Sequence, residues 1–475
     1  MLIAASEMQP LAKTGGLGDV IAALAVALMR DGLDVGVVMP GYESALGLAA
    51  AKEKAVPLPP IFGHAVKLIG ARAPKTDVPV YLLDCPALFR RPGGPYGDAA
   101  GADWPDNGLR FGVFAGAIAE LAAMNARALP RIDVIHAHDW HTGLLAASLA
   151  MAGKPSPPCV FTVHNMAYQG LFPAERLVGL GLPAKLMGPD GIEFWGNLSF
   201  LKAGLRFASK VTTVSPTYAR EILTPEQGMG LDGVLRARAE PVIGILNGID
   251  MTAWNPAADP HIAAPYDAGR LEARAVNKAA LQQAFDLAAA PKAPLIAMLG
   301  RLVAQKGVDI FLAALPQILA HGAQAVILGT GDKALEEAVR AAARQAAGRV
   351  GCRIAYDEAA AHRLMAGADM LVMPSRFEPC GLTQRYAQRY GVLPVVRRTG
   401  GLADTVTDAR LSDGNGFTFA EATAPALTGA LERALGVFAD SASWRALQRR
   451  AMAIDASWNN AAKAYARLYA KALQS

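Results

Sequence analysis

The sequence predicts an α/β protein built from two doubly wound parallel-sheet units in series. Three observations carry that expectation. Short runs rich in valine and isoleucine alternate with helical stretches through most of the 475 residues. The alternation stops near Leu246, where a segment rich in Pro, Asp, Ala and Asn (247–267) reads as a linker, and then restarts. Each unit also opens with an apolar strand running into a turn that carries glycine and lysine, the place where an open α/β sheet binds ligands. A chain of this length exceeds what one hydrophobic core can organise.

In order, the first unit shows strands over 2–6, 35–39, 78–83, 134–136, 160–163 and 211–214, with helical patterns over 20–29, 108–124, 142–152 and 198–208. The second shows strands over 295–299, 325–328, 353–355, 370–373 and 394–396. Its helices fall over 308–320, 333–347, 359–366 and 381–390. Such alternation implies parallel strands joined by right-handed crossovers, with a cleft between the two units. The expected domains are 1–246 and 247–458, followed by an amphipathic helix in 459–475. That helix either packs on its own domain or crosses back to the first.

Composition narrows the class. The chain is 52% hydrophobic and 18% charged, as in a globular enzyme. No run approaches the roughly 20 apolar residues that span a bilayer, and no basic segment precedes an apolar one at the N-terminus. Cys85, Cys159, Cys352 and Cys380 form no C-x-x-C pair, which argues against a disulfide framework or zinc ribbon and for a reducing cytoplasm. A net charge of +5 without a dense basic stripe fits a small anionic ligand and not a nucleic acid.

The first unit's opening turn reads Lys13-Thr14-Gly15-Gly16-Leu17-Gly18. Backbone N–H groups at the following helix start, with a lysine ahead of them, suit a phosphate. The pattern is neither a dinucleotide fingerprint nor a P-loop. The second unit's turn places Arg301 and Lys306 after a strand, where both could face a departing pyrophosphate or be two solvated cations. A further turn, Gly329-Thr330-Gly331, is weak evidence and could be only a tight connection.

Glu378 follows the strand over 370–373, with Pro379 at the expected first turn of a helix. Its carboxylate could hold ligand hydroxyls or simply stabilise the helix dipole. Leu382 and Thr383 would offer N–H groups to phosphate oxygens. Cys380 reads as a small buried residue. His136-Ala137-His138-Asp139-Trp140-His141 ends a first-unit strand. A metal reading fits poorly, since the aspartate is misplaced for a binuclear site, and Asp139 reads instead as a cleft-edge group for sugar hydroxyls. His164 ends the next strand. No Asp-x-Asp pair is present to hold a metal on a nucleotide sugar, so neither metal nor cofactor is expected.

In order along the whole chain, these segments resemble the bacterial glycogen synthase and plant starch synthase family. The matching motifs are Ser6-Glu7 with 13–20, 136–140, 162–165 with Tyr168-Gln169-Gly170, and 214–218. In the second half they are 246–250 with Trp254 and Pro256, Arg301 with 305–307, 375–384 and 397–406. The resemblance implies the GT-B fold and retaining transfer of glucose from ADP-glucose to the non-reducing end of an α-1,4-glucan such as glycogen. It further implies that Lys13, with Gly15 and Gly16, contacts the donor, and that Arg301 and Lys306 stabilise departing ADP. Glu378 would sit against the donor glucose, and His164 near the anomeric centre with Asp139. Asn247 would line the cleft, Tyr356 would stack on adenine, and Cys380, Gly381, Leu382 and Thr383 would border the donor. Three departures stand out: a short first strand, Ala355 where relatives tend to carry glycine, and the added charges of Arg385 and Arg389.

The alternatives make distinct predictions. A UDP-glucose-dependent transferase differs in nucleotide. A phosphorylase carrying pyridoxal phosphate would show a visible chromophore. A metallohydrolase would lose activity to chelators, and a glucan-binding protein would tolerate loss of Glu378, Arg301 or Lys306.

Overall fold

The computed structural model describes residues 1–124, 130–153 and 155–474. It divides into two compact units, residues 1–248 with 458–475, and residues 249–457.

The first unit contains β1 (Leu2–Ala4), β2 (Gly36–Pro40), β3 (Val56–Pro57), β4 (Lys67–Arg72), β5 (Pro79–Asp84), β6 (Ile135–His138), β7 (Cys159–Val163), β8 (Leu171–Pro173), β9 (Glu193–Phe194), β10 (Asn197–Ser199), β11 (Lys210–Thr213) and β12 (Ile243–Gly244). Nine of these form one sheet in the order β12-β11-β7-β6-β1-β2-β5-β4-β3, and β8-β10-β9 form a small separate one. The central strands β1, β2, β6 and β7 are buried along their whole length. Helices cover both faces, which is why β1 and β2 read as continuous apolar runs, while the equally buried β6 carries His136 and His138. The helix Asn459–Ala472 belongs to this unit, with Tyr465 and Tyr469 in its core.

The second unit contains β13 (Leu295–Leu299), β14 (Gln324–Gly329), β15 (Val350–Ile354), β16 (Met370–Met373), β17 (Leu393–Arg397) and β18 (Phe417–Phe419). All pairings are parallel, in the order β15-β14-β13-β16-β17-β18. Numbered within the unit this is 3-2-1-4-5-6, the doubly wound order whose ligand crevice lies at the switch between its first and fourth strands. Here that switch is β13/β16; in the first unit the corresponding reversal is β1/β6.

Several local expectations change. Pro379 is not in a helix: the helix Thr383–Arg389 begins four residues later, with Leu382 as its N-cap, so Glu378 lies in a loop and is not a first-turn glutamate. β15 ends before Ala355. The pattern over 198–208 splits into β10 and the helix Phe200–Phe207, which Ser199 caps by accepting the Lys202 N–H. β4 runs antiparallel to β5. Arg385 and Arg389 do lie on the helix after Glu378, where Arg385 reaches the Ala456 carbonyl (3.5 Å) and Arg389 the Asn255 side chain (3.0 Å). Among the described residues no helix is long and apolar enough to cross a membrane.

Candidate functional site

In the first unit, the loop after β1 folds around a buried carboxylate. Glu7 Oε2 accepts the backbone N–H groups of Thr14 (2.6 Å) and Gly15 (3.1 Å). Its Oε1 accepts the Tyr96 hydroxyl at 2.5 Å, and Ser6 Oγ lies 2.7 Å from the same hydroxyl. This pins the turn that precedes the helix Gly16–Arg30, whose N-cap, Gly15, offers no side-chain cap. Thr14, Gly15 and Gly16 are exposed, although the N–H groups of Thr14 and Gly15 are already taken by Glu7. Lys13 lies beside them, its ammonium 2.8 Å from Asp19.

After β6 the chain turns at Asp139, which precedes the helix Trp140–Met151 at φ +58° and makes no side-chain cap to it. Asp139 Oδ1 accepts the His164 N–H at 2.8 Å. Burial pushes its carboxyl up to about 7, against the His164 and Asn165 N–H groups that pull it down.

The β6/β7 register sets His138 opposite Thr162, so the His164 ring two residues on meets it, with Nε2 2.9 Å from His138 Nδ1. His136 turns inward instead: Nε2 meets Thr162 Oγ1 at 2.6 Å and Nδ1 meets the Tyr469 hydroxyl of the C-terminal helix at 2.8 Å. Burial lowers His164 to about 4 and His136 to about 3, and holds His138 well below its ordinary range. All three are neutral at pH 7. His138 Nε2 is buried without a partner. Leaving that nitrogen unprotonated avoids a stranded N–H, so His138 donates from Nδ1 and His164 keeps its own proton on Nδ1. Among the described residues, no three His, Cys, Asp or Glu side chains converge as a metal-holding group. Asn247 is 3% exposed, and its Oδ1 has no partner.

The second unit's switch point is built from ions. Glu378 Oε2 accepts the Lys306 ammonium at 2.6 Å and the Ser375 hydroxyl at 3.0 Å. The two loops that carry this pair are clamped together. Arg376 forks onto Asp309 (2.8 and 2.7 Å) and donates to the Ala304 carbonyl, while Gln305 donates to the Phe377 carbonyl at 3.1 Å. Gly307 has φ +67°, and a Cβ there would lie 2.2 Å from the Pro374 carbonyl. On the other side, Gly400 at φ +44° leaves no room for a Cβ against the Glu378 carbonyl, which also accepts the Gly401 N–H at 3.1 Å. Only glycine fits both contacts.

Arg301 is exposed on the same loop as Lys306. Cys380 is buried; Gly381 (φ +65°), Leu382 and Thr383 lead into the short helix. Tyr356 stands 73% exposed beyond the end of β15. The structure therefore joins Asp139 to His164 and Lys306 to Glu378, and leaves Tyr356 outside those constellations. Tyr96, Ser375, the anchoring role of Glu7 and the contact of His138 with His164 are additions. Position at a strand's carboxyl end could have signalled Glu7, His138 and Ser375, whereas Tyr96 lies in the loop between the helices Pro86–Phe89 and Asn107–Ala123, where nothing marked it.

Residues 1–237 match the family described as the starch synthase catalytic domain, and residues 293–436 match glycosyl transferases group 1. The chain is 50% identical to a glycogen synthase of Rhodopseudomonas palustris, over 99% of this chain and 98% of that protein. It is equally identical to a glycogen synthase of Thioalkalivibrio sulfidiphilus, over 99% of each. The solved catalytic domain of starch synthase IV from Arabidopsis thaliana, bound to ADP and acarbose, has a TM-score of 0.90 and 35% identity, covering 100% of this chain and 99% of that one. With two Rossmann-like sheets in series, the fold is GT-B. By full-length identity and by fold, the chain belongs to the bacterial glycogen synthase and plant starch synthase family of glycosyltransferases.

Proposed function

We propose that this chain is a cytoplasmic enzyme that transfers glucose from ADP-glucose, with retention, to the non-reducing-end 4-hydroxyl of an α-1,4-glucan, extending glycogen and releasing ADP. The observation that carries this reading is the 50% identity to glycogen synthases running over 99% of the chain.

The second unit has the charge pattern that a diphosphate leaving group demands. As the bond from the donor's anomeric carbon to the phosphate oxygen breaks, negative charge grows on ADP and positive charge on the sugar. Arg301 and Lys306 meet the former, and the N–H groups of Leu382 and Thr383 add to them. Glu378 fixes the Lys306 ammonium by their 2.6 Å contact and lies against the donor glucose. Cys380 and Gly381 border that glucose, and the exposed Tyr356 ring stacks on adenine. No metal is invoked.

In the first unit, Lys13, Gly15 and Gly16 face the donor. Neutral His164 serves the anomeric centre as a hydrogen-bonding group and not as a cation. Asp139 positions it and meets sugar hydroxyls, and Asn247 offers its unpartnered Oδ1 to substrate. The test is incorporation of labelled glucose from ADP-glucose into glycogen, with UDP-glucose in parallel. Incorporation from ADP-glucose, removed by an α-1,4-specific amylase, supports the reading; none from ADP-glucose with the fold intact overturns it.

A further inference from the structure

Trp195 is the most exposed aromatic residue described, at 84%. It sits at the tip of the hairpin β9–β10, where Phe194 pairs with Asn197 across a two-residue turn. Both turn residues have positive φ, Trp195 at +51° and Gly196 at +78°. This is the type I′ pattern, which favours Asn-Gly. A bulky aromatic side chain in the left-handed region is a genuine outlier. The hairpin thus carries backbone strain and leaves a large apolar ring mostly in water, with an edge-to-face contact to the neighbouring Phe194 (centroids 6.2 Å apart). Both features point to a contact outside the chain.

The hairpin's place says what that contact is. Its strand β10 pairs with β8, which follows the loop from His164. The N–H groups of Phe200 and Leu201, just past β10, donate to the carbonyls of Gly170 (3.1 Å) and Gln169 (3.1 Å) on that loop. Phe172 of β8 packs on Trp140, the residue after Asp139, with ring centroids 5.7 Å apart. The hairpin is therefore braced against the two segments that carry His164 and Asp139.

Resting on the reading above, we propose that Trp195 is a stacking platform for the acceptor α-glucan, binding a sugar ring away from the reacting end. The C–H face of a pyranose suits the electron-rich indole face. The strained, exposed tip holds that face outward, toward a chain longer than the active site alone can hold.

Glycogen retention in an affinity gel, measured without donor, tests this independently of catalysis. Trp195→Asn restores the favoured turn and removes the ring. It should keep or raise the thermal midpoint while weakening glycogen retention about tenfold, the size of one aromatic contact. Its KM for glycogen should rise similarly at unchanged kcat, with KM for maltotriose unmoved. Trp195→Phe should keep most of the retention. Wild-type retention in Trp195→Asn overturns the proposal. So does equal loss in both variants, or a change confined to self-association. Absence of glucose transfer by the wild-type chain would instead overturn the underlying reading, and is read separately.

Discussion

The two switch points solve the same problem with opposite chemistry. At β13/β16 the second unit sets a lysine against a glutamate and clamps their loops with an arginine–aspartate fork. At β1/β6 and the adjoining end of β7 the first unit keeps its histidines neutral, buried or half-buried and in hydrogen-bond contact, and pins the turn that carries Lys13 onto the Glu7 carboxylate. A partly exposed lysine held by a nearly buried carboxylate keeps a cation ready for an incoming anion, and the pair costs stability only when one partner is removed. A buried imidazole keeps its charge state fixed, so only its orientation and tautomer matter. The second unit is thus suited to balancing charge and the first to placing hydrogen bonds.

The largest effect should come from the charged side. Glu378→Gln keeps the shape but leaves Lys306 without its carboxylate, and kcat should fall by at least about 100-fold in steady-state assays. A loss below about threefold would mean the pair is structural. In the first unit, Glu7→Gln cannot accept all the donors that converge on the carboxylate, and the 13–16 turn loosens. KM for ADP-glucose should rise about tenfold, as expected for buried donors left unpaired; an unchanged KM would detach that turn from the donor.

His138 gives a finer cut. His138→Phe removes the N–H that fixes the His164 tautomer, and kcat should drop about tenfold with KM for the donor steady. His138→Asn, which can put an amide N–H in its place, should recover part of this. The imidazole 15N spectrum of the eight histidines should show His164 protonated on Nδ1 in the wild type and a tautomer mixture in the Phe variant. A wild-type spectrum that already shows a mixture would contradict the assignment.

The smallest effect is thermodynamic. The Asp139 carboxyl binds its proton more tightly folded than unfolded, since burial raises it from 3.8 to about 7. The stability it contributes is full below about pH 4 and is lost as pH rises through about 7. Asp139→Asn, which does not ionise and tolerates positive φ, should gain on the wild type as pH rises, its midpoint advantage growing by about 2–4 °C between pH 5 and pH 8. A difference in midpoint that is the same at both values would show the carboxylate is solvated.

The sheet cores were plain in the sequence because strands covered on both faces read as unbroken apolar runs, as in β13 and β7. Edge and insertion elements were not. β4 mixes Lys67, Gly70 and Arg72 with its apolar residues, and β8, β9 and β10 are two or three residues long, too short to show a period. Of the site, the residues at strand ends could be picked out singly, since a carboxyl end in a doubly wound sheet faces the crevice. Their partners could not. His138 meets His164 only through the β6/β7 register, and Glu7 reaches Tyr96 across 89 positions. Pro379 misled because proline favours a first helical turn, yet here it precedes the left-handed Gly381 that must be passed before the helix starts.

The claim that the second unit's cations serve chemistry more than folding meets its most direct test in Lys306→Ala. The variant's ADP release from ADP-glucose and glycogen is compared with the wild type, alongside the two thermal midpoints. The expected result is a loss of at least about 100-fold in kcat, with a midpoint lowered by no more than about 5 °C, the cost of leaving the nearly buried Glu378 carboxylate to Ser375 alone, so that the variant stays folded at the assay temperature. Undiminished ADP release, or a loss of activity matched by a collapse in thermal stability, would contradict it.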